Sequence, residues 1–243
     1  NNVYAHIADL IDATKGVEVT LSKNGVFIFD VHYLGRMIDK LQYDMIYHEH
    51  IYYYSLLTAQ KHFELFDLEI FDIFIHDIHA GSIRFYVAKK NSKKAKLISK
   101  NVKLLKEEEK LKAYDNFESF KLFSKKIKNT KKDLIDLLEK IKKDGKTVAG
   151  YGASGRANTI IQFCGITNDL VSYMIDDAPA KIGCHTPGSH LKILSSSVLN
   201  SDKAPDYILV FAWSFFDEIV KRNKKFIESG GKMIVPLPKV KII

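Results

Sequence analysis

Residues 42–55 contain the side chains best suited to chemistry, and the centre of this segment is the run Tyr47-His48-Glu49-His50. Histidine titrates near neutral pH, and a neighbouring carboxylate or phenol can orient an imidazole or stabilise its protonated form. In an extended chain, side chains alternate between two faces, so His48 and His50 would share one face while Tyr47 and Glu49 share the other. The run is therefore a candidate for proton transfer near neutral pH.

Two other interpretations of this run stay open at the level of the sequence. An edge strand rich in Tyr and His would place its polar groups in water without performing any chemistry. His48 and His50 also form a His-x-His pair, which is typical of some metal sites. No third ligand follows at a recognisable spacing, so no metal is predicted.

Length and composition describe a folded protein without extracellular features. The 243 residues are enough for two domains and a substantial core. The two cysteines, Cys164 and Cys184, provide neither a disulfide framework nor a cysteine-based zinc site, so a reducing, cytoplasmic setting is expected. The N-terminus lacks a signal-peptide pattern, and no apolar run reaches the ~20 residues that a membrane span needs, so no membrane partner is predicted.

The positive charge of the chain is concentrated in one segment. Residues 89–146 hold twenty Lys and nine Asp or Glu, a net charge of +11, which leaves −3 on the rest of a chain whose formal total is +8. This segment contains no Arg, and its aromatic residues fall on the apolar positions of a helical pattern. Nucleic-acid sites usually combine Arg with exposed stacking aromatics. We therefore predict a solvated helical face and no nucleic-acid partner.

Residues 1–90 are predicted to form an α/β domain. Apolar spacing predicts helices over 3–21, 33–45 and 56–66, the last with Ser55 or Thr58 near its start. The nearly continuous apolar run 25–30 predicts a buried strand of the parallel type. Residues 68–76 alternate as a strand, and the turn at Gly81 opens a second strand, which together predict a hairpin.

The remaining residues predict a connector and a second domain. Residues 91–143 contain no Pro or Gly and have apolar positions at threes and fours, which predicts one or two long connector helices with a break near 114–116. Residues 144–243 alternate buried apolar strands with helical segments. This pattern predicts a doubly wound, Rossmann-like parallel sheet.

A glycine-rich turn opens this second domain. Gly150, Gly152 and Gly155 match the G-x-G-x-x-G pattern between a predicted strand and a predicted helix, and Asp176 follows about 20 residues later. Glycines at such a turn let backbone N–H groups approach a phosphate at a helix N-terminus. The polar loop 186–190 is predicted near the same strand ends. A tight turn that binds nothing is the alternative.

The order of the motifs resembles that of the sugar C-methyltransferases. The matching motifs lie in residues 1–90 and 145–243: Asn1-Asn2-Val3-x-Ala5-His6, Tyr47-His-Glu-His50, His79-x-Gly-Ser-x-Arg84, Gly150-Tyr-Gly-Ala153, Asn158-Thr159, Thr186-Pro-Gly-x-His190, Trp213-x-Phe215 and Gly230-Gly-Lys-x-Ile-Val-Pro-x-Pro238. Enzymes of that family use S-adenosylmethionine to methylate a ketosugar carried on a nucleotide diphosphate, in deoxysugar biosynthesis. Two positions depart from the usual pattern: Ala80 replaces Gly, and Ser154-Gly155-Arg156 replaces Pro/Ala-x-Lys.

The resemblance implies a domain plan that begins inside the family's cofactor domain. Residues 1–90 would be the C-terminal half of a Rossmann-like methyltransferase domain, 91–143 a helical connector, and 144–243 a Rossmann-like domain for the sugar nucleotide. The family's cysteine-rich zinc domain and its Gly-rich S-adenosylmethionine motif have no counterpart in this sequence. The S-adenosylmethionine site is therefore expected to be incomplete in this chain.

The resemblance also implies roles for individual residues. His50 would be the general base, Tyr47 and Glu49 would orient it or bind the sugar, and His6 would lie near the reacting carbon. Asn2 would contact S-adenosylmethionine. The nucleotide diphosphate, expected to be thymidine diphosphate, would be held by a set of residues from the second domain: Gly150, Gly152, Gly155, Asn158, Asp176, Thr186 and His190.

Two competing functions remain at this stage. An NAD(P)-dependent oxidoreductase would explain Gly150–Gly155 and Asp176 but would leave the Tyr47–His50 run unused. A non-catalytic fragment that binds a sugar nucleotide would need only the second domain. Binding of thymidine diphosphate, NAD and S-adenosylmethionine distinguishes these possibilities.

Overall fold

The computed structural model describes the backbone of residues 1–243 and the side chains of all of them except His79. The chain forms two compact units. Unit 1 comprises Asn1–Lys40 and His48–Ser124, and unit 2 comprises Leu41–Tyr47 and Lys125–Ile243. The short segment Leu41–Tyr47 thus belongs with the C-terminal unit although it is flanked on both sides by residues of unit 1.

Unit 1 combines helices with three strands. In chain order its elements are α1 (Leu10–Thr20), β1 (Phe27–His32), α2 (Leu34–Asp39), α3 (Leu56–Glu64), β2 (Leu68–His76), a 3-10 turn (Ile78–Ala80), β3 (Ser82–Lys89), α4 (Lys100–Leu111) and the beginning of α5 (Phe117–Lys143). The predicted break in the Lys-rich region is confirmed, because α4 and α5 are separated by the residues between Leu111 and Phe117.

The sheet of unit 1 has the order β1-β3-β2, with β3 antiparallel to both neighbours. The predicted β2–β3 hairpin is therefore confirmed. The prediction that residues 25–30 form a strand of the parallel type was wrong in its pairing, because β1 is hydrogen-bonded to the antiparallel β3. A continuous apolar run reports burial, and Phe29 and Val31 are indeed buried, but it does not determine strand direction.

The N-terminal residues form an arm rather than the start of a helix. The predicted helix 3–21 begins only at Leu10, because the Asp9 side chain accepts a hydrogen bond from Asp12 N at 2.9 Å and caps α1. Within the arm, Tyr4 is buried in an aromatic core, with its ring 4.7 Å from that of Phe29. The Tyr54 hydroxyl donates to Tyr4 O at 2.9 Å, which fixes the arm against the residues that follow His50.

A buried carboxylate from α4 stabilises the start of α3. Glu109 is fully buried and accepts hydrogen bonds from Leu56 N at 2.8 Å, Leu57 N at 2.9 Å and the Tyr33 hydroxyl at 2.9 Å. Ser55, predicted with Thr58 as an alternative to lie near the start of this helix, is its N-cap and forms a capping box with Thr58. Burial raises the pKa of Glu109, although the three donors act in the opposite direction. The N–H groups at the start of α3 thus depend on a side chain more than 50 positions away.

His62 is expected to make the stability of unit 1 depend on pH. Its Nε2 lies 2.8 Å from Thr14 Oγ1, and burial lowers the pKa of the imidazole. A histidine whose pKa is lower in the folded state favours folding above its unfolded pKa, and this contribution is lost as the pH falls through the lowered value. Below the usual value of about 6.5 we expect the wild type to lose more stability than His62→Gln. Urea unfolding at pH 7.5 and pH 5 measures the difference.

The control for this prediction is His185→Gln, since His185 is exposed and lies in unit 2. That variant should keep the full pH dependence of the wild type. An identical pH dependence in the wild type and in His62→Gln would show that His62 does not contribute.

Unit 2 contains a second sheet with helices around it. Its elements are a 3-10 turn (Tyr43–Met45), the remainder of α5, β4 (Val148–Tyr151), α6 (Gly155–Cys164), β5 (Met174–Ile175), β6 (Ile193–Leu194), a 3-10 turn (Ser196–Asn200), β7 (Tyr207–Val210), a 3-10 turn (Trp213–Phe215), α7 (Phe216–Arg222), α8 (Lys224–Glu228), β8 (Lys232–Val235) and β9 (Lys241–Ile242). None of the helices in the described residues combines the length and apolar character required to cross a bilayer.

The strand order of this sheet is β6-β5-β4-β7-β8-β9. The five neighbouring strands β6, β5, β4, β7 and β8 are parallel, which confirms the predicted parallel sheet. Strand β9 pairs antiparallel with β8 at the edge. From β4 the chain proceeds outwards to β5 and β6 and then returns to β7 on the other side. The carboxyl ends of β4 and β7 therefore form the switch point of the sheet, where open α/β sheets bind their ligands.

Candidate functional site

In unit 1 the fold brings His50 close to His6. The two imidazole rings lie with their centroids 5.0 Å apart at an interplanar angle of 64°. The arm and the His50 segment are joined by backbone hydrogen bonds, since Ile51 N and Tyr52 N both donate to Ala5 O. Two residues that are 44 positions apart in the sequence thus lie next to each other in unit 1.

Other members of the Tyr47–His50 run have different surroundings. His48 and Glu49 are exposed, and Tyr47 is half-buried within the part of the chain that belongs to unit 2. Tyr53 is an additional neighbour of His50, with its ring 6.1 Å away in an edge-on arrangement. The sequence analysis did not select Tyr53. The consecutive tyrosines 52–54 were the available indication, but the sequence does not show which of them faces His50.

Asn2 lies at the edge of the unit 1 sheet. Its backbone N–H donates to Asp30 O at 2.8 Å, its φ is +53°, and the residue is exposed. Beside it, a cleft is lined by residues of the arm, of α1 and of β1, among them Asn1, Tyr4, Ile28 and Asp30.

The same strand contains a buried charged cluster that the sequence analysis did not identify. Asp30 is 4% exposed, and its Oδ2 accepts hydrogen bonds from Arg84 Nε at 3.0 Å and from His76 Nε2 at 2.9 Å. From its residue type alone, His76 was interpreted as an ordinary surface or partly buried histidine. The register explains the contact, because β3 pairs Arg84 with Asp30 on one side and with Phe74 on the other, which brings three strands together. The cluster fixes the carboxyl end of β1 next to Asn2.

In unit 2 the glycine-rich turn follows β4 at the switch point. Gly152 has φ +93°, and a Cβ there would lie 2.9 Å from Ala212 Cβ, so the position requires glycine. Gly150 has a packing role, because a Cβ there would lie 2.3 Å from Met174 Sδ. Gly155 starts α6 next to open space, and Ser154 caps the helix by accepting from Ala157 N. The turn thus presents a capped helix N-terminus towards the crevice.

Asp176 holds this turn in place. Its Oδ2 accepts hydrogen bonds from Ala153 N at 2.9 Å and Lys181 Nζ at 3.0 Å, and its Oδ1 accepts from Ala178 N at 2.9 Å. Burial alone would raise the pKa of Asp176, but these donors outweigh it and the pKa is lowered. The sequence placed Asp176 with the nucleotide, and the structure shows it bonded to the turn itself.

Asn158 and Arg156 follow on the first turns of α6. Asn158 Oδ1 is buried and, within the described part of the chain, accepts no hydrogen bond. Such an acceptor is costly unless a ligand or water supplies a donor. Arg156 points to Asp44, with Nε donating to Asp44 Oδ2 at 2.8 Å. Arg156 is therefore engaged in an ion pair with a buried carboxylate.

The loop 186–190 packs against α6. Gln162 Nε2 donates to Pro187 O at 3.1 Å, and Gly188 has φ +74°, with room for no Cβ since one would lie 2.5 Å from the same amide. Thr186 is buried and its Oγ1 accepts from Leu191 N, so it closes the loop. His190 is exposed at φ +53°. The described contacts thus connect this loop with α6 and not directly with the glycine turn.

Comparison with known proteins identifies the family. A family described as C-methyltransferase C-terminal domain matches residues 77–238. The C-methyltransferase NovU of Streptomyces niveus is 31% identical over 240 residues, which cover 99% of this chain and 56% of that protein. The chain thus spans little more than half the length of this relative. By its matched sequence, this chain belongs to the C-methyltransferase family and carries its C-terminal domain.

Proposed function

We propose that this chain is the proton-transfer and substrate-binding part of a sugar C-methyltransferase. The substrate would be a ketosugar linked to a nucleotide diphosphate, and the methyl donor S-adenosylmethionine. The observation that carries the proposal is the His6–His50 pair, with ring centroids 5.0 Å apart in a chain of this family. Methylation of a carbon next to a ketone requires removal of a proton from that carbon, and an imidazole near neutral pH suits this step.

In the proposed mechanism His50 accepts the proton from the carbon next to the ketone. The electron pair left on that carbon is delocalised onto the ketone oxygen, where a hydrogen-bond donor such as the imidazole N–H of His6 stabilises the enolate. The carbon would then use this electron pair to form a bond to the methyl group of S-adenosylmethionine, while the bond between that methyl group and the sulfonium sulfur breaks and S-adenosylhomocysteine leaves as a neutral thioether. Glu49 is assigned to orient an imidazole or to bind a sugar hydroxyl. The proton that His50 accepted is released to solvent after the methyl transfer.

S-adenosylmethionine would supply an electrophilic methyl group on a sulfonium centre. The cleft beside β1 has a volume of about 250 Å³, so the described residues would enclose only one side of such a cofactor. Complete small-molecule pockets have roughly 300–1,000 Å³. Asn2 and Tyr4 would contribute to that side. The Asp30 carboxylate accepts hydrogen bonds from Arg84 and His76, so Asp30 is assigned to the wall of the cleft and not to a direct bond with the cofactor.

The nucleotide diphosphate is assigned to unit 2. The N-terminus of α6 and the turn at Gly152 favour a phosphate group, and Asn158 Oδ1 offers an acceptor for a hydroxyl or amide donor of the ligand. Loop 186–190, with Thr186 and His190, would border the same ligand. Asp176 would contribute to the nucleotide site by accepting the Ala153 N–H and so holding the glycine-rich turn. This bond argues against the ribose-binding role that an acidic residue has in NAD-dependent enzymes.

Calorimetric titration of the chain with thymidine diphosphate, NAD and S-adenosylmethionine tests the proposal. We expect thymidine diphosphate to bind and NAD not to bind, with S-adenosylmethionine weak because its site is partial. Asn158→Ala should weaken thymidine diphosphate binding by about tenfold, the cost of one ligand hydrogen bond of ~1.4 kcal/mol. Asn168→Ala, an exposed asparagine beyond the end of α6, is the control and should bind like the wild type. Preferential binding of NAD would instead support the oxidoreductase.

A further inference from the structure

The short 3-10 turn Tyr43–Met45 carries a buried acid whose hydrogen bonds are unusual for a connecting segment. Asp44 has no exposed surface. Its Oδ2 accepts hydrogen bonds from Arg156 Nε at 2.8 Å and from Trp213 Nε1 at 3.0 Å, and Arg156 Nη2 lies 2.6 Å away. A buried carboxylate of this kind is retained only with such partners. Asp44 is thus the point at which this segment is fastened to the rest of unit 2.

The two donors come from the segments that follow β4 and β7, the two strands at the switch point. Arg156 lies on the first turn of α6, directly after the glycine-rich turn that follows β4. Trp213 begins the 3-10 turn that follows β7, and it is next to Ala212, whose Cβ would lie 2.9 Å from a Cβ at Gly152. The Arg156 guanidinium also lies over the indole ring, 5.1 Å from its centroid. Asp44 therefore binds both borders of the crevice to which we assign the diphosphate.

A second contact extends this attachment along α6. The Tyr43 hydroxyl lies 3.6 Å from Cys164 Sγ, and the Tyr43 ring lies 5.1 Å from that of Phe163 at the other end of the helix. Within the segment, Met45 N donates to Gln42 O and Ile46 N donates to Tyr43 O, so the turn is internally ordered. Tyr47 follows immediately, and the next residue already belongs to unit 1. Only residues 46–49 lie between this turn and His50 along the chain.

We propose that Asp44 is a positioning residue that couples nucleotide binding in unit 2 to the conformation of residues 47–50. A diphosphate at the N-terminus of α6 fixes Arg156 and Trp213, these hold Asp44, and Asp44 holds the segment that leads into Tyr47 and His50. The proton-transfer residues are thereby ordered when the sugar nucleotide is bound. This inference rests on the proposed nucleotide site.

Hydrogen–deuterium exchange of the chain with and without thymidine diphosphate tests the coupling. At a ligand concentration ten times Kd, exchange through local opening should slow by about tenfold. In the wild type we expect this protection in peptides covering 152–158 and also in those covering 43–52. In Asp44→Asn, protection of 152–158 should remain, while ligand-dependent protection of 43–52 should fall below about twofold. A purely structural Asp44 would change exchange equally with and without ligand.

Two further variants keep the test decisive. Asp206→Asn also removes a hydrogen-bonded carboxylate from unit 2, but at the Thr147 end of β4, and should retain both protections. If Asp44→Asn does not fold, Trp213→Phe removes the indole donor while keeping an aromatic ring for the Arg156 guanidinium, and it should lower the ligand-dependent protection of 43–52 while 152–158 stays protected.

The possible outcomes separate this inference from the proposed function. Protection of 152–158 without any protection of 43–52 in the wild type overturns the coupling and leaves the nucleotide site intact. The same is true if Asp44→Asn and Trp213→Phe keep the full protection of 43–52. If thymidine diphosphate protects neither region of the wild type, the nucleotide site itself is wrong and the coupling is rejected with it.

Discussion

Replacement of His50 by asparagine is expected to lower the turnover of methyl transfer by roughly 10²–10⁴-fold, the usual contribution of a general base. Asparagine retains a polar group of similar size but cannot accept a proton near neutral pH. Because thymidine diphosphate is assigned to unit 2 and His50 belongs to unit 1, affinity for the nucleotide should stay unchanged. The measurement is single-turnover methyl transfer by a full-length protein that contains this chain, together with calorimetric binding of thymidine diphosphate.

The neighbouring histidine provides the matched control. His48 is exposed and has been assigned no role in proton transfer, so His48→Asn should leave turnover close to that of the wild type. A second variant, His6→Asn, tests the partner ring at 5.0 Å and should also lower turnover. Unchanged turnover in His50→Asn would remove His50 from the role of base, and Tyr47 would then be the next candidate.

The replacement Glu109→Ala is expected to lower the free energy of unfolding of unit 1 by ~3 kcal/mol or more, because removal of a buried charged partner leaves its donors unsatisfied. Leu56 N, Leu57 N and the Tyr33 hydroxyl would all lose their acceptor in a site with no exposed surface. The largest loss of stability is expected at the start of α3, because two N–H groups there have no acceptor within the helix.

The two units allow this effect to be measured separately. The single tryptophan, Trp213, lies in unit 2, so its fluorescence in urea reports that unit, while exchange of the Leu56 and Leu57 amides reports unit 1. Glu108→Ala is the control, because Glu108 is an exposed neighbour with one ion pair to Lys112 at 2.8 Å, and its loss should cost at most about 1 kcal/mol. Equal destabilisation by the two variants would show that Glu109 is not the stabilising acceptor.

Many local features of this fold were predictable from the sequence. Residues 68–76 were predicted as a strand and form β2 with the same limits, and α3 starts after Ser55 as its capping residues indicated. The glycine-rich turn, its strand and its helix were placed correctly in unit 2. These features depend on the periodicity of neighbouring side chains and on the backbone preferences of Gly and Ser, which act over a few residues.

The motifs that carry the proposed site were also visible in the sequence, including His6, His50 and Gly152. Their order along the chain was enough for the resemblance to the family that the comparison then identified. The sequence could not show that the rings of His6 and His50 lie 5.0 Å apart. That distance depends on the buried Tyr4 and on the backbone hydrogen bonds of Ala5, which form only when the arm packs onto the core.

Only the tertiary structure decided the direction of the β1 pairing, the partners of Glu109 and the assignment of Leu41–Tyr47 to unit 2. Each of these features joins residues that are distant in the sequence, such as Asp44 with Arg156 and Trp213. A buried carboxylate takes whichever donors the completed fold brings to it, and the local sequence around Asp44 or Glu109 does not specify those donors. The sequence by itself therefore determined the elements and the reactive groups, while long-range packing determined which groups meet.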